Sequence, residues 1–294
     1  VTYSNGVFAG ATTPLQTDAV FARLGETDGD LDVTFAGNGT FTENFGATFM
    51  EVDDVALQAD GKIVYTGLIN LNNSADMVVG RLLNPSGDND PSFGAGTGRT
   101  IIDLGGGDAG SSVMIQPDGR IVVAGRSFVA GGGRADDLAV VRLQENGQLD
   151  RSFDGDGSAV LDLGGSDNPG GAVLQPDGKI PVVGGTSPGT GGKDDMVVVR
   201  LRRDGSPDPG FGIGGRALLD LGAFESGSAI ALRPDGGILV AGTRSSTAAQ
   251  TGSDIVLARR QGGEPAAAPG GAGGPGGAGG VGGPGSAGGA ARRA

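Results

Sequence analysis

Ile115-Gln116-Pro117-Asp118-Gly119-Arg120-Ile121-Val122 is one of four near copies of a single phrase. The others are Leu57-Gln58-Ala59-Asp60-Gly61-Lys62-Ile63-Val64, Leu174-Gln175-Pro176-Asp177-Gly178-Lys179-Ile180 and Leu232-Arg233-Pro234-Asp235-Gly236-Gly237-Ile238-Leu239, and the aspartates lie 58, 59 and 58 residues apart. Each copy joins two apolar runs through Asp-Gly. Aspartate bonds to backbone two residues on and glycine takes positive φ without a Cβ clash, so each copy predicts a β-hairpin turn. A fixed period of this length marks a tandem array in which each unit is one supersecondary motif.

Two further phrases recur in register. An Asp opens, and an Arg closes, an apolar run at Asp18 to Arg23, Asp76 to Arg81, Asp137 to Arg142, Asp195 to Arg200 and Asp254 to Arg259, which counts five units. Asp-x-x-Phe follows at Asp32/Phe35, Asp90/Phe93, Asp150/Phe153 and Asp208/Phe211, and leads into Ile101-Ile102-Asp103-Leu104-Gly105, Leu161-Asp162-Leu163-Gly164 and Leu218-Leu219-Asp220-Leu221-Gly222. Each unit holds four short Val/Ile/Leu-rich runs, which read as strands. In the third unit they are Ser112 to Gln116, Arg120 to Gly125, Leu138 to Leu143 and Ser158 to Leu163, and no window keeps a helical apolar period.

A four-stranded antiparallel unit cannot bury both faces alone, whereas radial stacking covers both against neighbours. The expected fold is therefore all-β: a β-propeller of about five four-stranded antiparallel units. A parallel β-helix is the competitor, but its coils are shorter and Asp-Gly hairpins argue for antiparallel pairing. The repeat domain is read as residues 1–261, with units at about 1–51, 52–110, 111–169, 170–227 and 228–261. The first unit lacks a clear opening strand and the fifth ends after its third, at Arg260. Either the termini share a blade, or the chain is a portion of a larger ring or array. Residues 262–294 are nearly all Gly, Ala and Pro, a composition expected of a disordered tail.

A net charge of -13 repels phosphate backbones and anionic surfaces, so nucleic acid is not an expected partner. With no Cys and no His, thiol and imidazole chemistry, disulfides and Cys/His zinc sites are excluded by inventory. No apolar stretch reaches the roughly 18 to 20 residues that span a bilayer as a helix, so membrane insertion is not expected.

The ordered series Leu-Gln-Pro-Asp-Gly-Lys-Ile-Val-Val-Ala-Gly, Asp-x-x-x-x-Arg-Leu and Asp-x-Ser-Phe-Gly resembles the bacterial delta-60 repeat family over nearly all of residues 1–260. That resemblance implies propeller-forming repeats of large secreted or surface proteins, and with it a secreted or cell-surface location. It implies no common activity.

Asp28-Gly29-Asp30-Leu31-Asp32 and Asp154-Gly155-Asp156-Gly157 alternate oxygen ligands in a way that could suit calcium. Neither completes an EF-hand loop, and both fall at repeated Gly-rich turns, so no metal ligand is assigned. Gly105-Gly106-Gly107 and Gly131-Gly132-Gly133 open no helix and read as loops rather than phosphate cradles. The repeated Arg is expected to pair with the Asp of the following Asp-x-x-Phe turn, as Arg81 with Asp90, and to hold the units together. Two Tyr and no Trp offer little of the aromatic platform a sugar subsite uses, and no nonrepeating carboxyl pair stands out. No catalytic residue and no cofactor are assigned. The functional expectation is a noncatalytic scaffold for a protein or glycan partner, with a carbohydrate-active propeller using Asp/Glu acid–base chemistry as the alternative.

Overall fold

In a computed structural model, the structure describes residues 2–4, 7–11, 18–43, 46–71, 74–129, 136–187, 193–245 and 254–260, of which 2–4, 7–11, 129, 259 and 260 are described by backbone alone. The reading of 262–294 as a tail, and the Gly131–Gly133 loop, lie outside these residues. The strands are β1 (Thr2–Ser4), β2 (Val7–Ala11), β3 (Ala19–Arg23), β4 (Thr40–Glu43), β5 (Phe49–Leu57), β6 (Ile63–Leu71), β7 (Ser74–Leu82), β8 (Arg99–Ile102), β9 (Gly106–Ile115) and β10 (Ile121–Val129). They continue with β11 (Asp136–Leu143), β12 (Ser158–Leu161), β13 (Ser166–Ala172), β14 (Ile180–Ser187), β15 (Asp195–Leu201), β16 (Arg216–Leu219), β17 (Phe224–Leu232), β18 (Ile238–Ser245) and β19 (Asp254–Arg260).

They form five antiparallel meanders, β1–β4, β5–β8, β9–β12, β13–β16 and β17–β19, each running through its strands in chain order. This is a β-propeller. Among the described residues the only helical element is the short 3-10 turn Gly94–Gly96. One apolar core lies between each successive pair of sheets. Phe21 and Phe35 pack with Tyr65 between the first two, and Val79 and Phe93 with Val123 between the second and third. Val140 and Phe153 pack with Val182 between the third and fourth, and Val183 and Met196 with Val240 between the last two. Second and third strands of the second, third and fourth sheets are buried on both faces, which is why they read as continuous Val/Ile runs rather than alternating ones.

The Asp-Gly hairpins are as the sequence predicts. Gly61, Gly119, Gly178 and Gly236 all have φ between 77° and 86°, and each preceding Asp accepts from the amide two residues on, as Asp60 Oδ1 from Lys62 N at 3.1 Å. A second recurrent glycine has a different cause. Gly67, Gly125, Gly184 and Gly242 sit in second strands opposite a β-bulge in the first strand of the same sheet. A Cβ on Gly125 would lie 2.0 Å from Ala109 O, and one on Gly67 2.0 Å from Glu51 O. One pair of strands solves its packing differently: Val123 faces Val141 and Val182 faces Val199, but at the equivalent place Tyr65 faces Gly80. The ring fills the space that a side chain on Gly80 would take, where a Cβ would lie 2.0 Å from Tyr65 Cζ.

Three sequence expectations are corrected. The first sheet does have an opening strand, β1, paired with β2. Gly106 and Gly107 are not loop but the start of β9, pairing with Val129 and Phe128. The first strand of the third sheet accordingly begins six residues earlier than Ser112, because the bulge at Ser111 breaks the alternation and hides its N-terminal half. The fifth sheet has three strands among the described residues, ending at Arg260. Its outer face differs from its counterpart: Ile255 and Leu257 are 82% and 66% exposed, whereas the equivalent Met196 and Val198 are buried against the next sheet.

Candidate functional site

Each third strand has its repeated Asp at or near its start and its repeated Arg at or near its end, so the two residues lie on opposite rims of the propeller. On the Arg rim, the sequence-predicted pairs form. Arg23, Arg81, Arg142 and Arg200 each donate Nε to Asp32, Asp90, Asp150 and Asp208 at 2.8 Å. Each guanidinium lies over the Phe that closes the same turn, at 5.4 Å for Phe35 and 4.5 to 4.8 Å for Phe93, Phe153 and Phe211. The fork then reaches the following sheet: Arg23 donates to Asn84 Oδ1, Arg81 to Glu145 O at 2.6 Å and Arg142 to Arg203 O. Backbone bonds run alongside, from Ala36 N to Pro85 O, Gly94 N to Asn146 O and Asp154 N to Asp204 O. Burial would raise the carboxyl of Asp90, Asp150 and Asp208, but bonds from the residue two positions on (Ser92, Ser152 and Gly210) and the Arg charge hold all three below the ordinary carboxylate range. Arg259 has no described side chain.

On the Asp rim the structure gathers three acid triads: Asp76, Asp103 and Asp108; Asp137, Asp162 and Asp167; Asp195, Asp220 and Glu225. Within each, one oxygen from every residue lies within 4.8 Å of the others. The first member lies within the first three residues of the third strand of one sheet, the second sits in the Asp-Leu-Gly turn, and the third stands in the first strand of the next sheet. The third members, Asp108, Asp167 and Glu225, are buried, whereas Asp103, Asp162 and Asp220 are exposed. Turn amides hold them: Leu104 N donates to Asp108 Oδ2 at 2.6 Å, Leu163 N to Asp167 Oδ2 at 2.8 Å and Ala223 N to Glu225 Oε1 at 3.0 Å. Asp108 Oδ1 and Glu225 Oε2 are buried with no partner in hydrogen-bond geometry, and the buried hydroxyl of Ser127, which faces Asp108 across the strands, lowers its carboxyl without closing such a bond. Burial first, and the neighbouring acids second, push Asp108, Asp167 and Asp195 up. These oxygen-only groups are the residues that could hold a metal ion.

Glu51, Asp53 and Asp54 on β5 and Arg126 on β10 break the repeat. Asp53 is the bulge residue of β5, equivalent to Ser111, Gly170 and Ser228. Burial and then Glu51 push its carboxyl up to about 6. Asp54 Oδ2 accepts from Val113 N at 2.8 Å, tying the first strands of the second and third sheets together. On the Arg rim, a cleft of about 630 Å³ opens between the hairpin turns of the third and fourth sheets, lined by Pro117, Asp118, Arg120, Gln175, Pro176 and Arg203 among others.

The two Asp-rich turns considered for calcium are not among the acid groups brought together in the described residues. Asp32 is engaged by Arg23, while Asp28 and Asp156 accept from amides two residues on. The triads escaped the sequence reading, although Asp103-Leu104-Gly105 and its copies were visible. The missing signal is the acid five residues after that Asp, at Asp108, Asp167 and Glu225.

Residues 58–93, 116–153 and 175–211 match a family model described as a domain of unknown function (DUF5122) beta-propeller. Each match runs from the Gln before the hairpin to the Phe under the arginine, so three tandem segments are repeats of a propeller-forming kind. No curated protein matches. Among solved structures, the chain is similar to a protein of unknown function from Dyadobacter fermentans, at 10% identity and TM-score 0.42, covering 89% of this chain and 85% of that one. It is also similar to a GH43 endo-arabinanase from Bacillus licheniformis, at 12% identity and TM-score 0.41, covering 86% and 89%. An exo-1,5-alpha-L-arabinanase from a bovine ruminal metagenomic library gives 10% identity and TM-score 0.38, covering 87% and 90%. No helix of the described residues is long and apolar enough to cross a membrane.

Proposed function

We propose that this chain is a noncatalytic propeller scaffold of the delta-60 repeat type, secreted or displayed at a cell surface, that presents its rim to a protein or glycan partner. The observation that supports this reading is the use of the recurrent buried Arg and Asp groups: in consecutive units Arg81 and Arg142 spend their donors on their own turn and on the next sheet. What differs between units lies at the rim clefts, at turn residues such as Arg203, whose counterparts in the two preceding units are Glu145 and Asn84. Loops on a rigid scaffold are where binding surfaces arise. The test is a glycan array and a pull-down with the full chain, followed by Arg203→Glu. Retention of a partner that Arg203→Glu abolishes, without product release from any polysaccharide, is the expected result.

A second reading, a carbohydrate-active enzyme, has one observation in its favour: Asp53 breaks the repeat and titrates near 6, in the range of a general acid. Release of reducing ends from a polysaccharide panel, lost in Asp53→Asn, would replace the scaffold reading with this one.

A further inference from the structure

We propose that the three acid triads are divalent-cation sites, built for calcium, each bridging two successive sheets of the propeller. This stands apart from the scaffold reading and holds or fails without it. The triads recur at three consecutive sheet junctions with the same parts in the same places: the Asp at or near the start of a third strand, the Asp of Asp-Leu-Gly and an acid five residues later. Such clusters are common on surfaces, but here the third member of each is buried, as is Asp76, and two of these carboxylates, Asp108 and Glu225, keep an oxygen with no hydrogen-bond partner, Oδ1 and Oε2. A buried, unpaired carboxylate oxygen facing two further carboxylates is costly unless a cation completes it. Among the described residues, no Lys or Arg nitrogen forms an ion pair with either of the first two triads.

The junction between the first and second sheets supplies the comparison. There the position of Asp108 is held by Met50, and that of its cross-strand neighbour Ser127 by Ile69, both fully buried. An apolar pair therefore satisfies the packing, and the acids at the other junctions answer to something else. At the third triad, Arg244 stands opposite Glu225, with Nε 3.6 Å from Oε1, and supplies part of the neutralising charge. That site is expected to bind more weakly than the other two.

The ligand set selects the ion. Carboxylates, turn carbonyls and water are hard oxygen donors, and no nitrogen or sulfur ligand takes part, which favours calcium or magnesium over zinc or copper. Ligands from three separate segments, with the Asp-Leu-Gly member exposed, leave room for the larger, irregular shell of calcium rather than a strict octahedron.

The full chain, stripped of divalent ions with chelator, is titrated with calcium chloride and separately with magnesium chloride, following bound stoichiometry by calorimetry and the melting temperature. Calcium should raise the melting temperature and fill up to three sites per chain, one per triad. Magnesium should do less at equal concentration. Asp103→Ala, at an exposed turn, should remove one site. The combined Asp108→Asn, Asp167→Asn and Glu225→Gln variant should lose the calcium response while melting in chelator no lower than the parent, because buried like charges are gone. The proposal is overturned if the parent shows neither heat nor a melting shift up to about 10 mM calcium, a concentration above that of the weakest extracellular calcium modules. It is equally overturned if Asp103→Ala and Asp162→Ala keep the parent's stoichiometry, and these exposed changes decide the matter even should the buried variant fail to fold.

Discussion

Arg142 spends its guanidinium on four partners: Asp150, Ser152 Oγ, the carbonyl of Arg203 in the next sheet and the ring of Phe153. Arg142→Met removes all four and leaves Asp150 buried with the half-exposed Arg120, whose Nε lies 2.9 Å from Oδ2, as its remaining counter-charge. The expected loss is about 2 to 4 kcal/mol in denaturant unfolding. An unchanged midpoint would mean that this Arg does not fasten the sheets. Asp53 acts with the opposite sign. Its carboxyl rises from 3.8 unfolded to about 6 folded, through burial first and Glu51 second. The stability it permits is complete below the unfolded value and is lost as pH rises through about 6. Asp108, Asp167 and Asp195, also raised by burial, act in the same direction. Asp90, Asp150 and Asp208 are lowered, so their contribution is present above the unfolded value and is lost only as pH falls through their folded values. In chelator, stability should therefore fall from about pH 4 to about pH 7. Asp53→Asn should flatten that slope by gaining stability at the neutral end, and an identical slope in the variant would show that Asp53 is not perturbed.

A strand is where the sequence was partly opaque. The hairpin between first and second strands is written in Asp-Gly, and the Arg–Asp–Phe pairing in two phrases eight or nine residues apart, so both were legible. The first strand was legible only in its C-terminal half, because the bulge at Ser111 shifts the register and the preceding Gly106 and Gly107 look like breakers when no partner is known. They belong to the strand because β10 supplies the pairing. The acid triads were illegible for a related reason: their members come from three places, 27 and 5 residues apart in the first copy, and only the sheet junction brings them together. The bulge also accounts for the glycine that faces it. Gly125→Ala sets a Cβ against Ala109 O, a backbone atom that cannot turn aside, and should cost about 3 kcal/mol or more. Gly107→Ala, with its nearest neighbour at 3.8 Å, is the control from the same sheet and should be tolerated. Equal losses in the two variants would show that the close approach is not what fixes glycine at Gly125.

Across the whole molecule the recurrent Asp and Arg at the two ends of each third strand now have separate purposes. Arg23, Arg81 and Arg142 fasten neighbouring sheets on one rim, and Asp76, Asp137 and Asp195 enter the acid triads on the other, so the Asp and Arg of one strand need not meet. Between the rims, each junction depends on apolar side chains that one sheet offers and the next covers. Met196 and Ile255 test this, because they occupy the same place in the fourth and fifth sheets, facing Gly185 and Thr243 across the strands. Met196 is 1% exposed beneath the fifth sheet, and Ile255 is 82% exposed. Met196→Ala should cost about 2 to 5 kcal/mol by opening a cavity at the junction. Ile255→Ala, which removes a side chain that nothing in the described residues covers, should stay within about 0.5 kcal/mol. Denaturant midpoints of the two variants, measured at several protein concentrations, give the comparison. A loss at Ile255 as large as that at Met196 would mean that this face is covered in solution, and a loss that grows with protein concentration would mean that another copy of the chain covers it.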